Sequence, residues 1–316
     1  MTDEQRLKAS IDQIEGFFRS YYFGWRLAKI LINEKVLVNR REFLSDISND
    51  LKQNEEQNPE AIIAQEIANG LGFDILSNCI QYIEDLFVLL RAGKKKEFFI
   101  KELITYNAGK VDNLVQEKIN NDKLCDLFYF PRIKDFENES EDVKNAVNEG
   151  ISKLSAKINL IKEFYNTYQF HYNQYKHGLT VALKPYGDLD PSLLENVYNG
   201  EINPYLVAID NLAIKKVSRN QHRFQNYVMM PCLTKNTQPF ISELDNEDNL
   251  LRYVMCPPET SIANFKNCAF NVRDCLYIFS NNLLSKLRGG DIITLQLPAD
   301  GRDVYSFDFK NDIAGS

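Results

Sequence analysis

Only three histidines occur in 316 residues, and none of the six cysteines forms a C-x-x-C pair. A structural zinc site needs four clustered thiolate or imidazole ligands, so this composition argues against one, and no metal or other cofactor is expected. Cys79, Cys125, Cys232, Cys256, Cys268 and Cys275 are scattered, which fits a reducing compartment; Cys268 and Cys275 lie seven apart on a helical face and read as core. No apolar run approaches the ~20 residues that span a bilayer, and the opening MTDEQRLK lacks the basic and apolar regions of a signal peptide. A soluble, cytoplasmic protein without a membrane partner is expected. Gly289-Gly290 is not followed by the Gly-Lys-Ser/Thr of a phosphate loop, and no G-x-S-x-G elbow is present. Excess positive charge is missing too: a net charge of −7 opposes non-specific attraction to nucleic acid, although a local basic cleft stays possible.

What the chain does have is apolar periodicity. An apolar fraction of 44% with 12% aromatics supplies a packed interior, and the length implies one large domain with an insertion, or two domains. Leu7, Ile11, Ile14, Phe18, Tyr21, Trp25, Ala28 and Ile32 alternate steps of four and three, predicting one helix over about Thr2 to Ile32. Asn39 caps a second helix through Leu51, KQNEEQNPE reads as a loop, and a short helix over Ala61 to Ala68 stops at Asn69-Gly70. Phe73 to Ala92 carries two adjacent apolar stripes, as expected at the centre of a bundle. Helices over Lys96–Tyr106 and Val111–Ile119 follow, and Asn121 to Asn138, with Pro131, reads as irregular. Asn138 with Glu141 fits a capping box opening the longest helix, which ends before Pro185.

After Pro185 the period shortens. Tyr205–Asp210, Leu212–Val217, Gln225–Met230 and Leu251–Met255 read as strands, and YVMMPC (Tyr227 to Cys232) resembles YVMCPP (Tyr253 to Pro258). Helical spacing returns over Ser261–Leu287, and strands Ile292–Leu297 and Asp303–Phe309 flank Pro298-Ala-Asp-Gly301. The expected fold is mainly α: an antiparallel helical bundle over 1–200, a small β meander over 201–258 inserted before the last helix, and that helix with a C-terminal β hairpin over 259–316.

The densest local pattern is FYNTYQFHYNQYKHG, from Phe164 to Gly178. Tyr165, Tyr168, Tyr172, Tyr175 and Leu179 share one helical seam, while Asn166, Phe170, Asn173 and His177 share the next face. Asn173 and His177, four apart, can converge, and His is the usual proton-transfer group near neutral pH. The competing reading is that Asn173 orients a buried imidazole within a tyrosine-rich core.

A long helix ending in Tyr172-Asn-Gln-Tyr-Lys-His-Gly178, preceded by the hydrophobic IEDLFVLLRAG helix (Ile83 to Gly93), resembles the HEPN superfamily over about residues 73–185. The resemblance implies a helical fold, kinship with bacterial toxins and abortive-infection (antiviral defence) proteins, and, in active members, metal-independent endoribonuclease activity. It also implies a cleft formed when two motifs meet in a homodimer. The family signature is an Arg, commonly followed by a polar residue, with a His four to six residues beyond. By this match His177 is the family His, as general acid or base, and Asn173 the polar residue. Tyr172 stands where Arg belongs, and a tyrosine cannot supply the fixed charge that stabilises a phosphorane-like transition state.

A replacement cation has few sources. Lys215, Lys216, Arg219, His222 and Arg223, beside Phe224 and Tyr227, form the densest basic segment and fit a phosphate- or RNA-binding patch, although such a run is more often a solvated turn between strands. Lys176 adjoins His177, where it fits a phosphate contact or a snorkelling surface chain. Lys94, Lys95 and Lys96 follow a helix C-terminus, where the macrodipole favours cations. Glu84 and Asp85, adjacent in sequence, point apart and form no acid pair. Three readings follow. One is a non-catalytic or regulatory HEPN-like protein that binds RNA, a nucleotide or a protein partner; the second is an endoribonuclease using His177; the third is a structural subunit of a larger assembly.

Overall fold

The computed structural model describes residues 3–39, 59–178, 181–185, 207–215, 227–231, 250–255, 262–290, 292–296 and 305–308. The chain is mainly helical, as the periodicity predicts. Its helices are α1 (Asp3–Ser20), α2 (Trp25–Val38), α3 (Pro59–Gly93), α4 (Phe99–Ile104), α5 (Ala108–Gln116), α6 (Asn121–Phe128), α7 (Glu141–Gly178) and α8 (Ile262–Leu287). Short 3-10 turns cover Lys96–Phe98 and Ile133–Phe136. Strands β1 (Val181–Pro185), β2 (Val207–Lys215), β3 (Tyr227–Pro231) and β4 (Leu250–Met255) precede α8; β5 (Ile292–Gln296) and β6 (Tyr305–Asp308) follow it.

Two compact units emerge. One comprises Met1–Arg26, Gln81–Tyr165 and Cys268–Ser316; the other comprises Leu27–Ile80 and Asn166–Asn267. In the first, an aromatic cluster forms the core: Phe17 stacks on Tyr21 at 5.2 Å, and Phe279 meets Phe18, Phe128 and Tyr129 edge-on or tilted at 6.3–6.4 Å. Phe279 and Phe128 are fully buried. Cys268 and Cys275 are buried in this core, as expected from their spacing.

Gly93 faces that cluster so closely that a Cβ there would lie 2.7 Å from the Phe279 ring. We expect Gly93→Ala to destabilise the protein by about 1–3 kcal/mol, because overpacking a rigid ring outweighs the helix-propensity gain. A urea-denaturation midpoint at or above wild type would show that Phe279 yields freely.

The expected single helix from Thr2 to Ile32 is two helices. The chain leaves α1 at Tyr21 because its groups have better partners elsewhere. The buried Tyr82 hydroxyl donates to the Phe23 carbonyl, and the Tyr21 hydroxyl donates to Asp85 at 3.1 Å. Arg26 closes the corner on Asp85 at 2.5 Å and also donates to Gln81 at 2.5 Å. Four-and-three spacing continues across the break, so periodicity alone does not reveal it.

Three further boundaries differ from expectation. Asn69-Gly70 does not stop a helix: α3 runs continuously from Pro59, a residue suited to the first helical position, and Gly70 simply lies on its exposed side. The segment Asn121–Asn138 contains α6 and a 3-10 turn, the helix being capped by the Asn120 side chain, which accepts from the Lys123 N–H at 2.9 Å. Ser140, not Asn138, caps α7, and Glu141 pairs instead with Lys144 at 3.0 Å. The proposed second helix from Asn39 to Leu51 lies outside the described residues.

In the second unit, Leu27, Ile30, Phe73, Ile75, Leu76, Ile80, Tyr168 and Phe265 are buried. Lys266 pairs with Glu34 at 2.7 Å, and the Cys79 thiol donates to the Phe265 carbonyl at 3.2 Å. Helix α7 ends at Gly178 rather than before Pro185, since glycine ends helices readily and Val181–Pro185 becomes a strand. The four strands form an antiparallel sheet in the order β1-β2-β4-β3, so β4 separates β2 from β3, unlike a simple meander. The two expected strands Tyr205–Asp210 and Leu212–Val217 are one, β2, whose register shifts between Asn211 and Ile214. The look-alike segments pair with each other, Val228 opposite Val254 and Met229 opposite Tyr253. The hairpin β5-β6 belongs to the first unit.

Candidate functional site

The end of α7 is packed as a tyrosine seam. Tyr165, Tyr168 and Tyr172 are buried, Tyr172 with 5% exposure, and Tyr175 stacks on Phe73 with ring centres 3.9 Å apart and planes 14° off parallel. Tyr168 meets Phe265 edge-on at 5.2 Å. His171, which the spacing argument passed over, is completely buried beside Tyr172 in sequence. Asn173 is half-buried. Lys176 is exposed and holds its ammonium 5.8 Å from the Tyr172 ring centre, within cation–π range. His177 is the penultimate residue of α7. Lys215 closes β2, whereas Lys216, Arg219, His222, Arg223 and Leu179 lie outside the described residues. Tyr172 is thus a packed ring, with the Lys176 ammonium reaching it from one turn further on.

The first unit holds a cavity of about 700 Å³ that no sequence pattern marked. One wall is the exit from α6. Tyr129 takes a left-handed backbone (φ 52°, ψ 32°), which is costly for a residue with a side chain. Three bonds hold it there: its N–H and that of Phe130 both reach the Cys125 carbonyl, and its hydroxyl donates to the Gly93 carbonyl at 2.5 Å. Phe130, Pro131 and Arg132 then line the cavity. The Arg132 guanidinium pairs with Asp126, while its backbone N–H donates to the Asp135 carboxylate at 2.9 Å and caps the 3-10 turn.

The opposite wall is the last turn of α8 and the turn into β5. Buried Asn282 accepts from the Thr294 N–H at 2.7 Å and donates to the carbonyls of Thr294 and Phe128 at 3.3 and 3.2 Å. Gly289 carries the turn at φ 69°, and Gly290 closes it on the Ser285 carbonyl. Lys286 projects from this wall.

Electrostatics separate the groups of the cavity. Burial pushes the Tyr129 hydroxyl up to about 12 and the Cys125 thiol up to about 11, the latter also against Asp122 and Asp126, so both stay protonated and neither is a nucleophile at neutral pH. Lys96 sits 4.8 Å from the Tyr129 ring centre, and its pKa is lowered by burial and then by the charge of Lys286. Among the described residues, Lys96, Lys134 and Lys286 have no carboxylate partner, whereas Lys95 pairs with Glu102 at 2.7 Å. The run Lys94 to Lys96 was visible in the sequence; the seat of Lys96 over the Tyr129 ring was not.

Among the described residues, no three His, Cys, Asp or Glu side chains stand together as a metal site, and no helix is long and apolar enough to cross a membrane. No protein-family model, curated protein or solved structure matches this chain.

Proposed function

We propose that this chain is a HEPN-like protein of a bacterial defence or stress system that binds RNA without cleaving it. The observation that carries the reading is Tyr172: the position that the motif gives to Arg is a buried ring in an aromatic seam. Cleavage of a phosphodiester needs a fixed charge at the developing phosphorane, and a neutral ring removes about the share of barrier that one such donor contributes, ~3–4 kcal/mol. Binding needs only cations that meet phosphates, and exposed Lys176 together with Lys215 at the end of β2 supports that role. His177 and Asn173 then position a ribose or base edge.

One observation favours the endoribonuclease reading, namely the Lys176 ammonium held beside the Tyr172 ring. Incubating wild type and His177→Ala with total RNA in EDTA separates the two. We expect neither to cleave, while both retain salt-sensitive RNA binding by filter retention. Lys176→Ala should reduce the slope of log K against log salt by about 0.7, the loss of one single-strand phosphate contact. Cleavage by wild type alone would establish the enzyme instead.

A further inference from the structure

We propose that the outward face of α4 docks on an anionic bilayer surface, with Phe98 and Ile104 entering the lipid interface and the lysines around them meeting headgroup phosphates. This surface is independent of the reading of α7.

The face is apolar where water meets it. Phe99 turns inward and is buried against Phe17 and Phe18. Phe98, Lys101 and Ile104, at steps of three, turn outward. Phe98 is 54% exposed and Ile104 78%, more than any other large apolar side chain among the described residues. Lys101 holds its ammonium 5.8 Å from the Phe98 ring centre, so charge and apolar surface stand side by side.

The charge around this face is positive, against the sign of the whole chain. From Arg91 to Lys110 there are six cations and two acids, Glu97 and Glu102, although the net charge of the chain is −7. Glu102 is shared by two of those cations, Arg91 at 3.0 Å and Lys95 at 2.7 Å, so that cluster keeps one positive charge. Lys110 donates to the Thr105 carbonyl at 2.9 Å, which holds its ammonium at the end of α4, next to Ile104 in the chain. Neither Lys101 nor Lys110 has a carboxylate partner among the described residues.

Exposed apolar side chains ringed by lysines match an anionic lipid surface on both counts. Hydrocarbon takes up the apolar groups, and headgroup phosphates take up the ammonium groups. RNA is the poorer match, because Ile104 has no flat face on which a base can stack. A protein partner would need a groove shaped to two projecting side chains, whereas a fluid interface moulds itself around them. Attachment of this kind uses no membrane-spanning run, so the lack of one in the sequence does not oppose it.

The probes are vesicles of phosphatidylcholine alone and of an equal mixture with phosphatidylserine. Co-sedimentation of the full chain should show binding to the mixed vesicles that falls as salt rises, and little binding to phosphatidylcholine. Lys101→Ala should weaken binding about fivefold, the share of one lysine near an anionic surface, and Ile104→Ser about tenfold. Both side chains are exposed, so an unchanged urea midpoint should accompany each loss. The assignment is overturned by equal binding to both vesicle types, by no binding to either, or by undiminished binding in both variants. If the two variants instead lose RNA retention on filters while vesicle binding is untouched, the face belongs to RNA. A dimer that falls to monomer in Ile104→Ser, again with vesicle binding untouched, would give it to a second copy of the chain.

Discussion

Asn282→Ala is expected to lower the free energy of unfolding by about 3 kcal/mol or more, because it strands a buried N–H and two buried carbonyls at once. Asn282 is 2% exposed and serves as a clamp: its carbonyl oxygen receives the Thr294 N–H at 2.7 Å while its amide reaches Thr294 and Phe128. It thus ties the first residues of the closing hairpin to α8 and to the end of α6. The geometry also predicts the behaviour of a near-isostere. Asn282→Asp keeps the acceptor but turns the donor into a carboxylate oxygen facing two carbonyls, so it should cost at least as much as alanine. Urea midpoints followed by circular dichroism measure both. A loss below ~0.5 kcal/mol, typical of a surface substitution, would mean that water or backbone movement replaces the clamp.

The second large effect is alkaline. Burial raises the thiol of Cys125 to about 11 and those of Cys268 and Cys275 further still, Cys268 also against Cys275 and Cys275 against Asp274. An unfolded thiol loses its proton near ~8.5, so above that pH the unfolded chain binds fewer protons than the native one. The stability these groups contribute is therefore fully present below ~8.5 and is lost as pH rises toward the folded values. Three thiols together give a slope of up to about 4 kcal/mol per pH unit, about 1.4 from each. Tyr21, Tyr82 and Tyr129, all raised chiefly by burial, steepen the loss once pH passes ~10, the ordinary tyrosine value. Denaturation midpoints between pH 8 and 10.5 under reducing conditions should show the decline, and Cys125→Ala should flatten it by about a third. A midpoint constant across that range would contradict the burial of these groups.

Several elements were legible because their signal is local. The two apolar stripes from Phe73 to Leu90 do lie in a buried helix, and Cys268, Val272 and Cys275 do face a core. The tyrosine seam was also readable, since i, i+3 and i+4 spacing fixes a face whatever the partner. Short elements were not. The eight residues of α6 make little more than two turns, too few for a clear period, although the Asn120 cap that starts it stood in the sequence. The corner between α1 and α2 escaped for another reason: its cause is Tyr82 and Asp85, about sixty residues away.

The sites divide in the same way. His177, Asn173 and Lys176 could be singled out as candidates in the sequence because they are neighbours on one helix. Lys96, the Tyr129–Arg132 turn and Lys286 come from three separate segments, and nothing in the sequence relates them. By itself the sequence determined the helical character and the faces that turn inward, because backbone periodicity and residue type are properties of neighbours. Only the tertiary structure decided where helices break, which strands pair and which cations share a cavity. Those outcomes depend on hydrogen bonds and charges between groups that the chain brings together only after it folds.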